Sequence, residues 1–158
     1  MRRVNLNGTK TILYVEDDSV TMTAYRNRLQ EEGFQVKVAR DGLEAMKMLS
    51  MSAPDLILMD LMLPKFNGDE VLKFIYANAS LRTLPVMILS TNSIRDAATE
   101  SILERANRRF LKETCNMQTL ISSIRELLFG PEPKKIAPEF SRNSFSVNQQ
   151  LAGSFATA

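Results

Sequence analysis

Apolar residues in this chain follow two alternating rhythms. Short unbroken runs such as Thr11-Ile12-Leu13-Tyr14-Val15 and Pro85-Val86-Met87-Ile88-Leu89 are β-prone, and between them apolar positions recur at helical spacing. The stretch Pro54-Asp55-Leu56-Ile57-Leu58-Met59-Asp60-Leu61-Met62-Leu63-Pro64 holds a continuous apolar run bracketed by prolines, which predicts a strand buried on both faces. Val20, Met22, Tyr25 and Leu29 predict a first helix from about Ser19 to Glu32, ended by Gly33. Phe34, Val36 and Val38 alternate with Gln35 and Lys37 as a half-exposed second strand. Asp41 followed by Glu44 has capping-box spacing and opens a second helix to about Met51, with Leu43, Met46 and Leu49 inward. Asn67 and Glu70 repeat that logic before a third helix with Val71, Leu72, Phe74 and Ile75 on its apolar side. The fourth strand ends at Ser90, and a fourth helix is expected from about Ser93 to Asn107. Arg109-Phe110-Leu111 is a short fifth strand delivering Lys112. Met117, Leu120, Ile121, Ile124, Leu127 and Leu128 then form an amphipathic fifth helix closed by Gly130-Pro131.

Five strand–helix repeats with short loops predict an α/β fold: a doubly wound parallel sheet with helices on both faces. Residues 1–10 read as a polar lead-in and 11–130 as one domain. Beyond Pro131, Pro, Lys, Ser, Asn and Gln dominate, with Phe140 and Phe145 isolated, so 131–158 are expected to be a flexible tail. That tail is too short for a DNA-binding module with its own core, and Lys134 and Lys135 are too few for a nucleic-acid arm.

Composition narrows the function classes. The chain has 158 residues, 44% hydrophobic and 24% charged, with a formal net charge of +2, which argues for neither nucleic acid nor membrane. No run approaches the roughly 18 apolar residues of a membrane span, and no signal-type apolar region is visible. The single cysteine, Cys115, excludes an internal disulfide and fits a reducing cytosol, so a cytoplasmic location is expected. Histidine is absent, which removes His-based acid–base chemistry, His metal sites and a role as phosphohistidine donor.

In open α/β sheets, reactive groups collect beyond the carboxyl ends of the strands. Here those ends carry Glu16 and Asp17, Asp60, Ser90, and Lys112. Taken singly, Asp60 is as readily a turn cap, and Lys112 and Ser90 read better as a solvated end and a turn hydroxyl; together they form a set. Clustered carboxylates repel one another, and a hard divalent cation such as Mg²⁺ is the usual remedy. A carboxylate can also act as nucleophile towards phosphorus, with a cation and a lysine neutralising the transferred group.

These residues resemble the receiver domains of bacterial two-component response regulators. The matches are Val15-Glu16-Asp17-Asp18, Asp60 in Leu58-Met59-Asp60-Leu61-Met62-Leu63-Pro64, Asn67-Gly68, Ser90 and Lys112, in family order across residues 10–129. The resemblance implies a flavodoxin-like sheet of order 2-1-3-4-5. It implies that Asp60 accepts a phosphoryl group from a histidine kinase or histidine phosphotransfer protein. It further implies that Glu16, Asp17, Asp60 and the Met62 carbonyl bind Mg²⁺, while Ser90 and Lys112 contact the phosphate. Asp18 is expected to face the loop. Signalling is then by protein contact, through the face formed by the fourth helix, fifth strand and fifth helix. The chain is expected to be a switch rather than an enzyme; a phosphorylation-dependent homodimer is left open.

The chain departs from the family in three places. Glu113 follows Lys112 where the family usually has proline in a cis peptide, Arg109 replaces the usual switch aromatic with Phe110 one place later, and Arg105-Ala106 replaces a common Gly-Ala pair. These departures motivate an alternative, a pseudo-receiver acting as a constitutive interaction module. A phosphohydrolase using Asp60 is a further rival, but Met62 stands where such enzymes place a second aspartate. Arg95, Arg105, Arg108 and Arg109 offer a surface for an acidic partner, against which Glu100 and Glu104 suggest an ordinary solvated face. Cys115 could sense oxidants, although a half-buried thiol without function is the simpler reading.

Overall fold

The computed structural model describes residues 8–91 and 97–131. Its elements alternate as β1 (Thr11–Val15), α1 (Ser19–Glu31), β2 (Gln35–Ala39), α2 (Gly42–Met51), β3 (Leu56–Met59), α3 (Gly68–Ala77), β4 (Val86–Ser90), α4 (Ala97–Leu103), β5 (Arg108–Leu111) and α5 (Met117–Phe129). All strand pairs are parallel, in the order β2-β1-β3-β4-β5, the flavodoxin-like arrangement. β1 and β3 sit in the middle, with Val15 level with Met59. No described helix is long and apolar enough to cross a membrane.

Strand alternation divides the core into two halves. Leu13, Val15, Ile57, Met59, Val86 and Ile88 pack on one face with residues of α2, α3 and α4. Ile12, Tyr14, Leu56, Leu58, Met87 and Leu89 pack on the other with Met22, Leu29, Leu120, Ile121 and Ile124 of α1 and α5. β3 is buried along its whole length because it serves both halves. Each such aliphatic side chain stabilises the fold by roughly 1.5–3 kcal/mol relative to exposure.

The packing corrects several expectations about helix faces. Val20 is 77% exposed, since it lies two residues, more than half a turn, from the buried Met22. In α2 the inward residues are Gly42, Ala45 and Leu49, while Leu43 and Met46 are only half-buried. Gly42 sets that face: a β-carbon on it would stand 2.1 Å from the carbonyl oxygen of Phe66. Small residues let α2 approach the loop after β3.

α1 ends as expected at Gly33, whose φ of 94° suits glycine and directs the amide of Phe34 to the carbonyl of Leu29. α4 stops at Leu103, short of the expected Asn107, and β5 begins one residue early. Asn107 explains both. Its amide donates to the carbonyl of Val86 at 2.8 Å, and its Oδ1 accepts the Val86 amide at 2.8 Å, so the chain joins the sheet at that point. The expected start of the fourth helix at Ser93, the flexible tail beyond Pro131 and most of the lead-in lie outside the described residues.

Candidate functional site

The site begins where the ladder of the sheet runs out. The amide of Glu16 still donates to Ala39 at 3.0 Å, and the amide of Asp60 to Val15 at 3.0 Å. Both side chains therefore leave the two central strands at the same level. Glu16 is 1% and Asp60 5% exposed. Asp17 is exposed, and carboxylate oxygens of Glu16, Asp17 and Asp60 lie within 4.8 Å of one another.

Lys112 arrives from β5, where its amide donates to the carbonyl of Ser90 at 3.0 Å. Its ammonium reaches Glu16 Oε2 at 2.6 Å and Asp60 Oδ2 at 2.5 Å. Burial disfavours the ammonium, but hydrogen bonds and charges from Asp60 and Glu16 outweigh it and hold the lysine above its ordinary pKa. One cation thus bridges two buried anions, with a third carboxylate alongside. This donor set of hard oxygens around a shared point is what Mg²⁺ takes as ligands, and Glu16, Asp17 and Asp60 fit such an ion.

The remaining predicted residues take distinct places. The Met62 amide donates to Asp60 Oδ1 at 3.0 Å, and the Met62 side chain is 58% exposed. Ser90 is buried at the end of β4, its hydroxyl donating to the Thr91 carbonyl at 3.1 Å. Asp18 instead caps α1, accepting the Thr21 amide at 2.7 Å, and hydrogen bonding from the Thr21 side chain and then from that amide holds its carboxyl below the usual range.

Residues flanking the site behave less uniformly. Among the described residues every peptide bond is trans, including Lys112–Glu113. Arg109 is ion-paired with Glu100 of α4, and Arg108 with Glu126 of α5 at 3.2 Å. Arg105 lies over the ring of Tyr76, 3.9 Å from its centroid. These three arginines are thus engaged within the protein, which favours the solvated-face reading over a free basic patch; Arg95 lies outside the described residues. Phe110 packs among the residues of the α1–α5 half of the core. Cys115 is half-buried, and burial pushes its thiol up, away from the reactive thiolate.

Two features escaped the sequence reading. Tyr14, fully buried in β1, donates its hydroxyl to Glu16 Oε2 at 3.3 Å; the two-residue strand spacing that puts both on one face was the available signal. Burial, then the charge of Glu16, push its phenol far above the ordinary tyrosine value. Lys65, the one non-glycine residue with positive φ (65°) among those described, bridges to Asp41 Oδ2 at 2.5 Å. Nothing in its sequence context announces that conformation.

A doubly wound sheet with acids and a lysine at its carboxyl edge defines a phosphate- or metal-handling α/β module. Comparison with known proteins makes the class specific. Residues 12–125 match the response regulator receiver domain. The chain is similar to the polar-differentiation response regulator DivK of Brucella ovis, 29% identical over 120 residues, covering 76% of this chain and 97% of DivK. Among solved structures it resembles the signal receiver domain of a signal transduction histidine kinase from Syntrophus aciditrophicus, with a TM-score of 0.69 and 31% identity, covering 84% of this chain and 100% of that one. It also resembles the receiver domain of a sensor histidine kinase from Pseudomonas aeruginosa, with a TM-score of 0.68 and 26% identity, covering 77% and 98% respectively; that structure has a magnesium ion coordinated in its active site cleft. The chain belongs to the response regulator receiver domain family: it is a phosphoacceptor signalling module of two-component systems rather than a catalytic enzyme.

Proposed function

We propose that Asp60 is the phosphoacceptor of this module and that its donor is a phosphohistidine on a histidine kinase or phosphotransfer protein. The observation carrying this reading is the placement of Asp60: a buried carboxylate just past the central strand β3, ion-paired to Lys112 and beside Glu16 and Asp17. An Asp60 oxygen forms a bond to phosphorus as the phosphorus–nitrogen bond breaks, and the imidazole leaves with that electron pair. Lys112 would follow the negative charge onto the phosphoryl oxygens, and Ser90 would donate a hydrogen bond to one of them. Glu16, Asp17 and Asp60, with the Met62 carbonyl, would hold Mg²⁺, which supplies charge neutralisation on the transferred group.

Output is by contact with a downstream protein in the cytoplasm, on the face of α4, β5 and α5. Arg109, ion-paired with Glu100, stands where the family usually has its switch aromatic, so the output does not rest on rotation of a ring at that position. The test is transfer from an isotopically labelled histidine phosphotransfer domain. Label should move to the wild-type chain and not to Asp60→Asn. Equal labelling of both would remove Asp60 from its role. No labelling, combined with no Mg²⁺ binding, would favour the constitutive module instead.

A further inference from the structure

Glu16 is held by three donors of different kinds. The Asp18 amide donates to Oε1 at 3.2 Å, while the Lys112 ammonium and the Tyr14 hydroxyl both donate to Oε2, at 2.6 and 3.3 Å. The two side-chain anchors are not equal. Lys112 is shared with Asp60, and on the reading above it turns to the phosphoryl group when that group arrives. Tyr14 cannot follow, because its ring is fixed in the α1–α5 half of the core, fully buried and 5.9 Å from the ring of Tyr25. Once Lys112 leaves, the phenol is the remaining side-chain donor to Glu16 among the described residues.

We infer that Tyr14 is a positioning residue: through its hydroxyl it fixes the Glu16 carboxylate beside Asp17 and Asp60 in the orientation a small divalent cation requires. Outer-shell hydrogen bonds of this kind orient metal ligands from behind and are worth about 10–100-fold in metal affinity. Mg²⁺ demands near-ideal octahedral geometry, whereas Ca²⁺ accepts flexible arrangements. Loss of the anchor should therefore weaken Mg²⁺ binding more than Ca²⁺ binding. The inference rests on the metal site proposed above and is tested separately from it.

The experiment is calorimetric titration of the full chain with Mg²⁺ and with Ca²⁺, for wild type, Tyr14→Phe and Tyr25→Phe. Tyr25→Phe removes a phenol from the same aromatic pair while leaving the Tyr14–Glu16 bond in place. Tyr14→Phe should bind Mg²⁺ about tenfold more weakly, the low end of the range for a lost outer-shell partner. Its Ca²⁺ affinity should fall less, and its metal-free melting temperature should stay close to wild type. Tyr25→Phe should bind both ions as wild type does. Unchanged Mg²⁺ binding in Tyr14→Phe would overturn the inference. So would equal losses for both ions with a lower melting temperature, which would mark Tyr14 as a packing residue only. A wild-type chain that binds no Mg²⁺ would overturn the metal site itself, a failure distinct from either.

Discussion

At the scale of single residues, the site is a problem in buried charge. Glu16 and Asp60 are both almost fully enclosed, and Lys112 is the cation that makes this tolerable. Removing one member of a buried ion-paired set leaves uncompensated charge, which typically costs about 3–5 kcal/mol. Lys112→Met should accordingly destabilise the metal-free protein by about 3–5 kcal/mol, measured by urea denaturation. Saturating Mg²⁺ should recover part of that loss and raise the melting temperature of the mutant more than that of wild type. An equal Mg²⁺ response in both would mean that Lys112 and the cation do not address the same repulsion. A second charge acts outside the site. Asp41 has its carboxyl lowered by the Lys65 hydrogen bond and by the Glu44 amide. A depressed folded-state pKa contributes stability that is present above the unfolded value, about 3.9, and is lost as pH falls through the lower folded value. Asp41→Asn keeps an N-capping side chain but not the ion pair. Its melting temperature should lie below wild type at neutral pH, and the gap should close towards pH 3. A gap independent of pH would contradict the assignment.

At the scale of elements, the loop from Leu61 to Asn67 is held against the start of α2. Lys65 reaches Asp41, and Phe66 lies where a β-carbon on Gly42 would have to go. Overpacking a tight site costs typically about 1–3 kcal/mol. Gly42→Ala should show a loss of that size in thermal melts, although alanine is the better helix former; stabilisation would show that the loop yields freely. This contact also illustrates what the sequence could and could not disclose. Strands were legible because β1, β3 and β4 are apolar runs, and α3 and α5 because their large residues recur at helical spacing. The inward face of α2 was not, since Gly42 and Ala45 contribute little to a hydrophobic pattern and the larger Leu43 and Met46 dominate it. α4 ran too long in the reading because the side chain of Asn107 mimics a strand partner to Val86, a contact between elements that no local pattern encodes.

At the scale of the whole molecule, the parallel order β2-β1-β3-β4-β5 is what brings residues 16, 60 and 112 to one edge. That convergence was legible in advance, because alternating strands and helices leave all strands pointing the same way. The family resemblance set Asp18 apart from Glu16 and Asp17, but its role as a helix cap was not legible. Asp18 becomes the cap of α1 and Asp17 stays exposed, and both outcomes depend on how α1 leaves the sheet. The arginines near β5 likewise turn out to be partners of Glu100, Tyr76 and Glu126 rather than a free basic patch. On the proposed function, this convergence makes Asp60 a phosphoacceptor. Intact mass after incubation with a small-molecule phosphodonor and Mg²⁺ tests it most directly, with peptide mapping to locate the adduct. A single phosphoryl adduct is expected on the peptide containing Asp60, absent from Asp60→Asn and from a magnesium-free sample. An adduct of equal yield in Asp60→Asn, or one that forms without Mg²⁺, would contradict it.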